Sequence, residues 1–281
     1  MAQIIPFPID EKIPEEEFQP RDKYGILVVG KHFETGFAVS IPDYPRWHPC
    51  CSGNLNIYDW ELLMTGTLDF GERSPLNALD DIVRYHEDKD GIIRITRTAP
   101  REFVRANLAN DLKLYEGGKN SNGGYKEVVK VWPGTKEVLP EFYAAVERFA
   151  GLSKNDTLTT IVIFSHGEND SIQMGDSQLK YRKLLEELDK IRGKKAVFVY
   201  ACHSGSFLKN LRTHPQRRDY AAIASCEADN LSTTDDDEEL DDYVFRHFRW
   251  GRRYSDLKFP IGLVSPDQHP KMLRYFDVRL I

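Results

Sequence analysis

Two short apolar runs dominate the hydrophobic pattern: residues 158–164 (Leu-Thr-Thr-Ile-Val-Ile-Phe) and residues 196–200 (Ala-Val-Phe-Val-Tyr). Both are rich in β-branched residues and bounded by turn formers, the pattern of buried strands. Between them Leu184, Leu188 and Ile191 recur at helical spacing, Leu185 widens the stripe, and Gly193 breaks it. The spacing predicts an amphipathic helix over 180–191. Strand, helix and strand form a βαβ unit, whose strands lie parallel and adjacent through a right-handed crossover.

The remaining pattern is read outward from that unit. Residues 24–30 (Tyr-Gly-Ile-Leu-Val-Val-Gly) predict a first parallel strand. Residues 1–23, rich in Pro and Glu and without a period, are expected as an extended arm on a single domain spanning 24–281. Residues 31–75 mix aromatic residues with Pro and Gly and show no clear period. Leu76, Leu79, Ile82 and Val83 predict a helix, with Ser74-Pro75 as its cap and first turn. Residues 91–97 alternate as a strand, and 100–114 read as a further helix. A Gly- and Asn-rich stretch before 127–132 suggests a two-stranded excursion. Leu139, Phe142, Val146 and Phe149 mark a helix over 138–149, and 167–176 reads as a small polar hairpin. Further on come a basic loop (212–219), an acid run (235–242), a helix over 243–250 and a late strand near 261–264.

Composition narrows the class. A chain of 281 residues, 41% of them hydrophobic, has enough apolar material for one large α/β core. No stretch approaches the ~18–20 apolar residues of a membrane span, and the first residues lack the basic start and apolar centre of a secretory signal. A net charge of −6 argues against nucleic acid as the main partner. Four cysteines, two of them adjacent (Cys50 and Cys51), do not resemble a disulfide framework. A reducing, cytoplasmic setting is expected, with no membrane association.

The chemistry lies just beyond the two strands. The first is followed by Ser165-His166-Gly167, the second by Ala201-Cys202-His203-Ser204-Gly205-Ser206. In an open α/β sheet both motifs fall on the carboxyl edge, where sites collect. A thiol becomes a good nucleophile when an imidazole takes its proton or holds the thiolate as an ion pair. Gly167 permits close backbone approach, and its N–H with that of Cys202 suits an oxyanion hole. A helix starting near Gly205 would favour thiolate through its positive end. The alternative for Cys202 is a buried structural cysteine. His203 is read as structural or at the rim, and Cys226 as packing.

His-Gly after one strand and Ala-Cys after the next, with a helix between, resembles the caspase, legumain and metacaspase superfamily of cysteine peptidases. Ala-Cys-His-Ser-Gly-Ser is nearest to the legumain motif, and its Cys-His-Ser-Gly part is also similar to metacaspases. Residues 223–230 (Ile-Ala-Ser-Cys-Glu-Ala-Asp-Asn) resemble the next strand of both families, which ends in a wall of the S1 pocket. The resemblance covers roughly 137–250, and it makes residues 31–75 an insertion near the active edge. It implies a caspase-like three-layer αβα sandwich with a mostly parallel sheet of about six strands. It also implies that His166 is the general base, Cys202 the nucleophile and Gly167 part of the catalytic set. Tyr200, Ser225, Glu227 and Asp229 would line the substrate site. Tyr200 departs from the resembling families, which carry an acid or Gln two positions before the nucleophile, so a basic P1 preference does not carry over.

The expected function is a cysteine endopeptidase acting on a protein or peptide through an acyl-enzyme. The alternatives are a catalytically weak peptide-binding pseudo-peptidase and a transpeptidase or ligase using the same thioester. No cofactor or metal site is expected. His48, Cys50 and Cys51 fit no standard zinc spacing. The acid run has three readings: a solvated loop, a calcium site, or a linker cut during maturation. Oligomeric state is left open.

Overall fold

The computed structural model describes residues 17–30, 57–66, 82–87, 93–99, 124–131, 138–232, 234–259 and 270–280. In chain order the elements are β1 (Asp22–Val29), α1 (Ile57–Thr65), β2 (Ile82–Glu87), β3 (Ile93–Ala99), β4 (Tyr125–Val131) and α2 (Val138–Leu152). There follow β5 (Thr157–Phe164), β6 (Gly167–Glu168), β7 (Ser171–Met174), β8 (Ser177–Lys180), α3 (Tyr181–Leu188) and β9 (Lys194–Tyr200). The last are α4 (Gly205–Arg212), β10 (Tyr220–Ala224), α5 (Thr234–Arg249) and β11 (Lys271–Arg274).

Every residue of β5 is buried, as is every residue of β9 after Lys194. That is why these strands read as continuous apolar runs and not as alternations. They occupy the middle of a six-stranded sheet ordered β11-β10-β9-β5-β1-β4. All neighbours are parallel except β10 and β11. Successive side chains of each strand go to opposite faces. Leu27, Val162, Phe198 and Tyr200 pack with Trp60 of α1 and with Leu240, Val244 and Phe248 of α5. Ile26, Ile161, Val197 and Val199 pack with Phe142 of α2, Leu184 of α3 and Phe207 of α4. The result is a three-layer α/β sandwich with a mostly parallel sheet of six strands, as expected.

Several local expectations are corrected. Residues 57–65, inside the stretch read as an aperiodic insertion, form α1. Ile57, Trp60, Leu63 and Met64 face the core at helical spacing, but Pro- and Gly-rich neighbours obscured it. Full burial of Trp60 makes α1 a core element, since truncating such a side chain costs about 3–5 kcal/mol. Ile82 and Val83 begin β2, which pairs antiparallel with β3; residues 76–81 of that predicted helix lie outside the described residues. Tyr125–Val131 is not an excursion but the edge strand of the main sheet, parallel to β1. Its Lys126 and Lys130 pair with Asp22 (2.6 Å) and Glu61 (2.8 Å), and charges of this kind protect an edge from further pairing.

The acid run belongs to α5 and not to a loop. Leu240, Val244 and Phe248 form its core-facing stripe. Asp241, fully buried, accepts a hydrogen bond from Trp60 Nε1 at 2.7 Å, and acidic residues in a helix's first turns suit its positive end. The expected 167–176 hairpin is present and gains a third strand, β8. Residues 17–21 run alongside the chain's far end: Phe18 N–H donates to Asp277 O (2.8 Å), and its ring meets Phe276 edge-on. The helix expected over 100–114, the strand expected at 261–264, and His48, Cys50 and Cys51 lie outside the described residues.

Candidate active site

The parallel ladder between β5 and β9 sets the site. It runs in register to Phe164 opposite Tyr200, and Ser165 N–H extends it by donating to Tyr200 O at 3.1 Å. His166 and Cys202 are each two residues past that last pair, on adjacent strands at one edge of the sheet. Both are partly exposed, and Cys202 is a free thiol. The His166 carbonyl accepts from Gln173 N–H (2.9 Å), which ties the loop after β5 to β7.

Gly167 packs directly on the turn that carries Cys202. A Cβ at that position would collide with the Cys202 carbonyl oxygen and sit 3.0 Å from Ala201 Cβ. The close approach that glycine allows here is therefore to the Cys202 peptide itself.

The Cys202 thiol lies between the two backbone groups of one residue. Its S–H donates to Ser232 O, and Ser232 N–H donates to the sulfur, each at 3.4 Å. The first contact favours the thiol and the second the thiolate. The first turn of α4 begins three residues on, and the orphan N–H groups and positive end of a helix favour thiolate.

Ser225 is fully buried and joins the two strand ends. Its hydroxyl accepts from Ala201 N–H (3.2 Å) and meets Ser232 Oγ at 3.0 Å. Cys226 is buried, within hydrogen-bond range of Ala201 O (3.4 Å) and Asn230 O (3.3 Å). Tyr200 is only 1% exposed and stacks on Phe164, with ring centroids 4.4 Å apart and planes 4° apart. Glu227 and Asp229 stand at the surface, paired with Lys271 (2.6 Å) and Lys209 (3.7 Å). Of the residues singled out from sequence, then, His166, Gly167, Cys202 and Ser225 gather around one turn. Tyr200 lies in the core beneath them, and the two acids face outward.

Behind the turn, Tyr181 packs edge-on against Phe207 of α4. Burial pushes its hydroxyl well above the ordinary value, and Cys226, Cys202 and Asp170 push it the same way. The phenol therefore stays protonated. Sequence reading gave no part to Ser232, whose contact with Cys202 is made by backbone groups that carry no residue signature. Among the described residues, no group of three or more His, Cys, Asp or Glu could hold a metal ion, and no helix is long and apolar enough to cross a membrane.

The profile of the peptidase C13 family matches residues 107–250, half of the chain. Among solved structures the chain is similar to caspase-1 from Spodoptera frugiperda, at 15% identity and a TM-score of 0.40, covering 66% of this chain and 83% of that one. No curated protein sequence matches it. The family span contains β5, β9, β10 and both reactive motifs, and it implies protein or peptide substrates. The chain belongs to the peptidase C13 family, the legumain family of cysteine peptidases.

Proposed function

We propose that the protein is a cysteine endopeptidase in which Cys202 is the nucleophile and His166 the general base. The observation that supports this most is the shared register of β5 and β9, which carries an imidazole and a free thiol past adjacent strand ends. His166 takes the Cys202 proton, and the sulfur bonds to the carbonyl carbon of the scissile peptide. The oxyanion that forms is held by N–H groups of Gly167 and Cys202. Collapse breaks the C–N bond, and the amine leaves with the proton from the His166 imidazolium. Water, deprotonated by His166, then attacks the thioester and releases the carboxylic product and the thiol. No cofactor is needed for these steps, and a reducing cytoplasmic setting would keep Cys202 free.

Glu227 and Asp229 already pair with lysines, and Tyr200 brings no charge. A cationic P1 side chain would have to displace one of those partners, so the proposal favours a neutral P1 residue. The test is labelling by a thiol-directed peptide electrophile together with turnover of a peptide library. Cys202→Ala abolishes both, whereas Cys50, Cys51 and Cys226 substitutions leave labelling in place. His166→Ala keeps the fold and lowers acylation by roughly several orders of magnitude. Equal labelling of wild type and the Cys202 variant would end the peptidase reading.

A further inference from the structure

The turn that carries Cys202 holds a backbone conformation that needs support. His203 has φ of 57°, and among the described residues it is the one non-glycine residue with positive φ. The left-handed region crowds Cβ against the backbone, so a residue stays there only when its surroundings hold it. Here the surroundings are the loop after β10. His203 N–H donates to Asn230 O at 2.9 Å, and its ring Nδ1 lies 2.9 Å from Ala228 O. A carbonyl has no hydrogen to give, so Nδ1 carries the proton and donates.

The next two residues dock on the same loop. Ser204 Oγ accepts from Cys226 N–H at 3.2 Å. A Cβ on Gly205 would run into the backbone of 226–228, reaching Ala228 N at 2.5 Å. The loop then returns to the nucleophile, because Ser232 bonds the Cys202 sulfur through both its N–H and its carbonyl. Turn and loop thus close a circuit: Cys202 to His203, across to 228 and 230, along to Ser232, and back to the sulfur.

We propose that His203 is a positioning residue for Cys202: its imidazole ties the left-handed turn to Ala228, and so sets where the sulfur sits against Ser232 and ahead of α4. This deepens the reading of Cys202 as nucleophile and rests on it. Without the tether, position 203 relaxes toward right-handed φ. The Cys202 peptide then turns away from Gly167, and the sulfur moves with it.

Three variants separate side chain from backbone. His203→Asn tolerates left-handed φ and presents an amide N–H close to where Nδ1 stood. His203→Ala keeps the steric crowding and loses the donor. His203→Gly relieves the crowding and also loses the donor. The primary readout is alkylation of Cys202 by iodoacetamide, followed across pH by mass spectrometry of the Cys202 peptide. Peptide turnover and thermal melting are measured in parallel.

The Ala and Gly variants are expected to alkylate at least about tenfold more slowly near neutral pH, with a displaced pH midpoint and a kcat that falls more than KM changes. The Asn variant stays within about threefold of wild type. A Gly variant that keeps the wild-type alkylation profile overturns the proposal, as does an Asn variant as slow as Ala. The Gly variant keeps the test decisive if the Ala variant fails to fold. If wild type turns over no peptide, the peptidase reading fails, while the alkylation series still decides the positioning role.

Discussion

The α-carbon of Gly167 rests against the carbonyl of Cys202, leaving no room for a side chain between the loop after β5 and the Cys202 turn. The two reactive motifs are therefore in backbone contact as well as on adjacent strands.

Gly167→Ala tests that contact. The added methyl must push either the Cys202 peptide or the β5 loop aside, and overpacking of this kind costs about 1–3 kcal/mol. The expected outcome is a lower melting temperature and Cys202 labelling slowed by about tenfold or more, because the displaced peptide carries the sulfur. A variant with unchanged stability and labelling would mean that the two segments separate freely.

Tyr200→Glu addresses specificity. In the resembling families an acid at this position faces a basic substrate side chain, but here Tyr200 is buried and stacked on Phe164. A carboxylate placed there loses its hydration, at a cost of several kcal/mol, or takes up a proton. The variant should unfold at lower temperature and show no selective gain on Arg or Lys substrates in a P1 scan. A stable variant with a clear gain would put position 200 at the substrate.

His247 predicts the acid limb of the stability profile. Its ring lies mostly buried against Phe248, and Nε2–H donates to Arg253 O at 2.8 Å. Burial holds its pKa below the ordinary 6.5; the nearby Arg252 charge acts the same way, while the bond to Arg253 and the charge of Asp256 oppose it. The unfolded chain thus binds this proton more readily than the folded one. The contribution is complete above about pH 6.5 and is lost as pH falls toward and through the lowered folded value. Urea midpoints measured from about pH 8 to 5 should fall less steeply for His247→Gln, whose amide can still donate to Arg253. Equal slopes would remove His247 from the acid limb.

What was legible in the sequence was what is encoded locally. Residues 158–164 and 196–200 read as buried strands because burial on both faces leaves no polar alternation to hide them. The stripe of Leu184, Leu188 and Ile191 showed the crossover helix for the same reason. Once strand, helix and strand were recognised, the right-handed parallel connection placed His166 and Cys202 at one edge without further information. α1 escaped notice because its four core residues lie in a stretch whose Pro, Gly and aromatic content masks the period. The acid run of α5 left a solvated loop, a calcium site and a cut linker open because charge says nothing of the stripe that follows it.

The sequence by itself thus determined the sheet's central strands, the helix that joins them and the placing of His166 and Cys202 beyond adjacent strand ends, all of which follow from hydrophobic period and chain topology. Only the tertiary structure decided how Cys202 is held. Ser232 reaches Cys202 through backbone groups, from 30 positions away. Tyr125–Val131 becomes an edge strand because β1 leaves an unpaired side, a fact about a partner and not about those residues. His203 sits at left-handed φ because Ala228 and Asn230 hold it there. Contacts between backbone groups distant in sequence carry no residue signature, and so they exist only once the chain has folded.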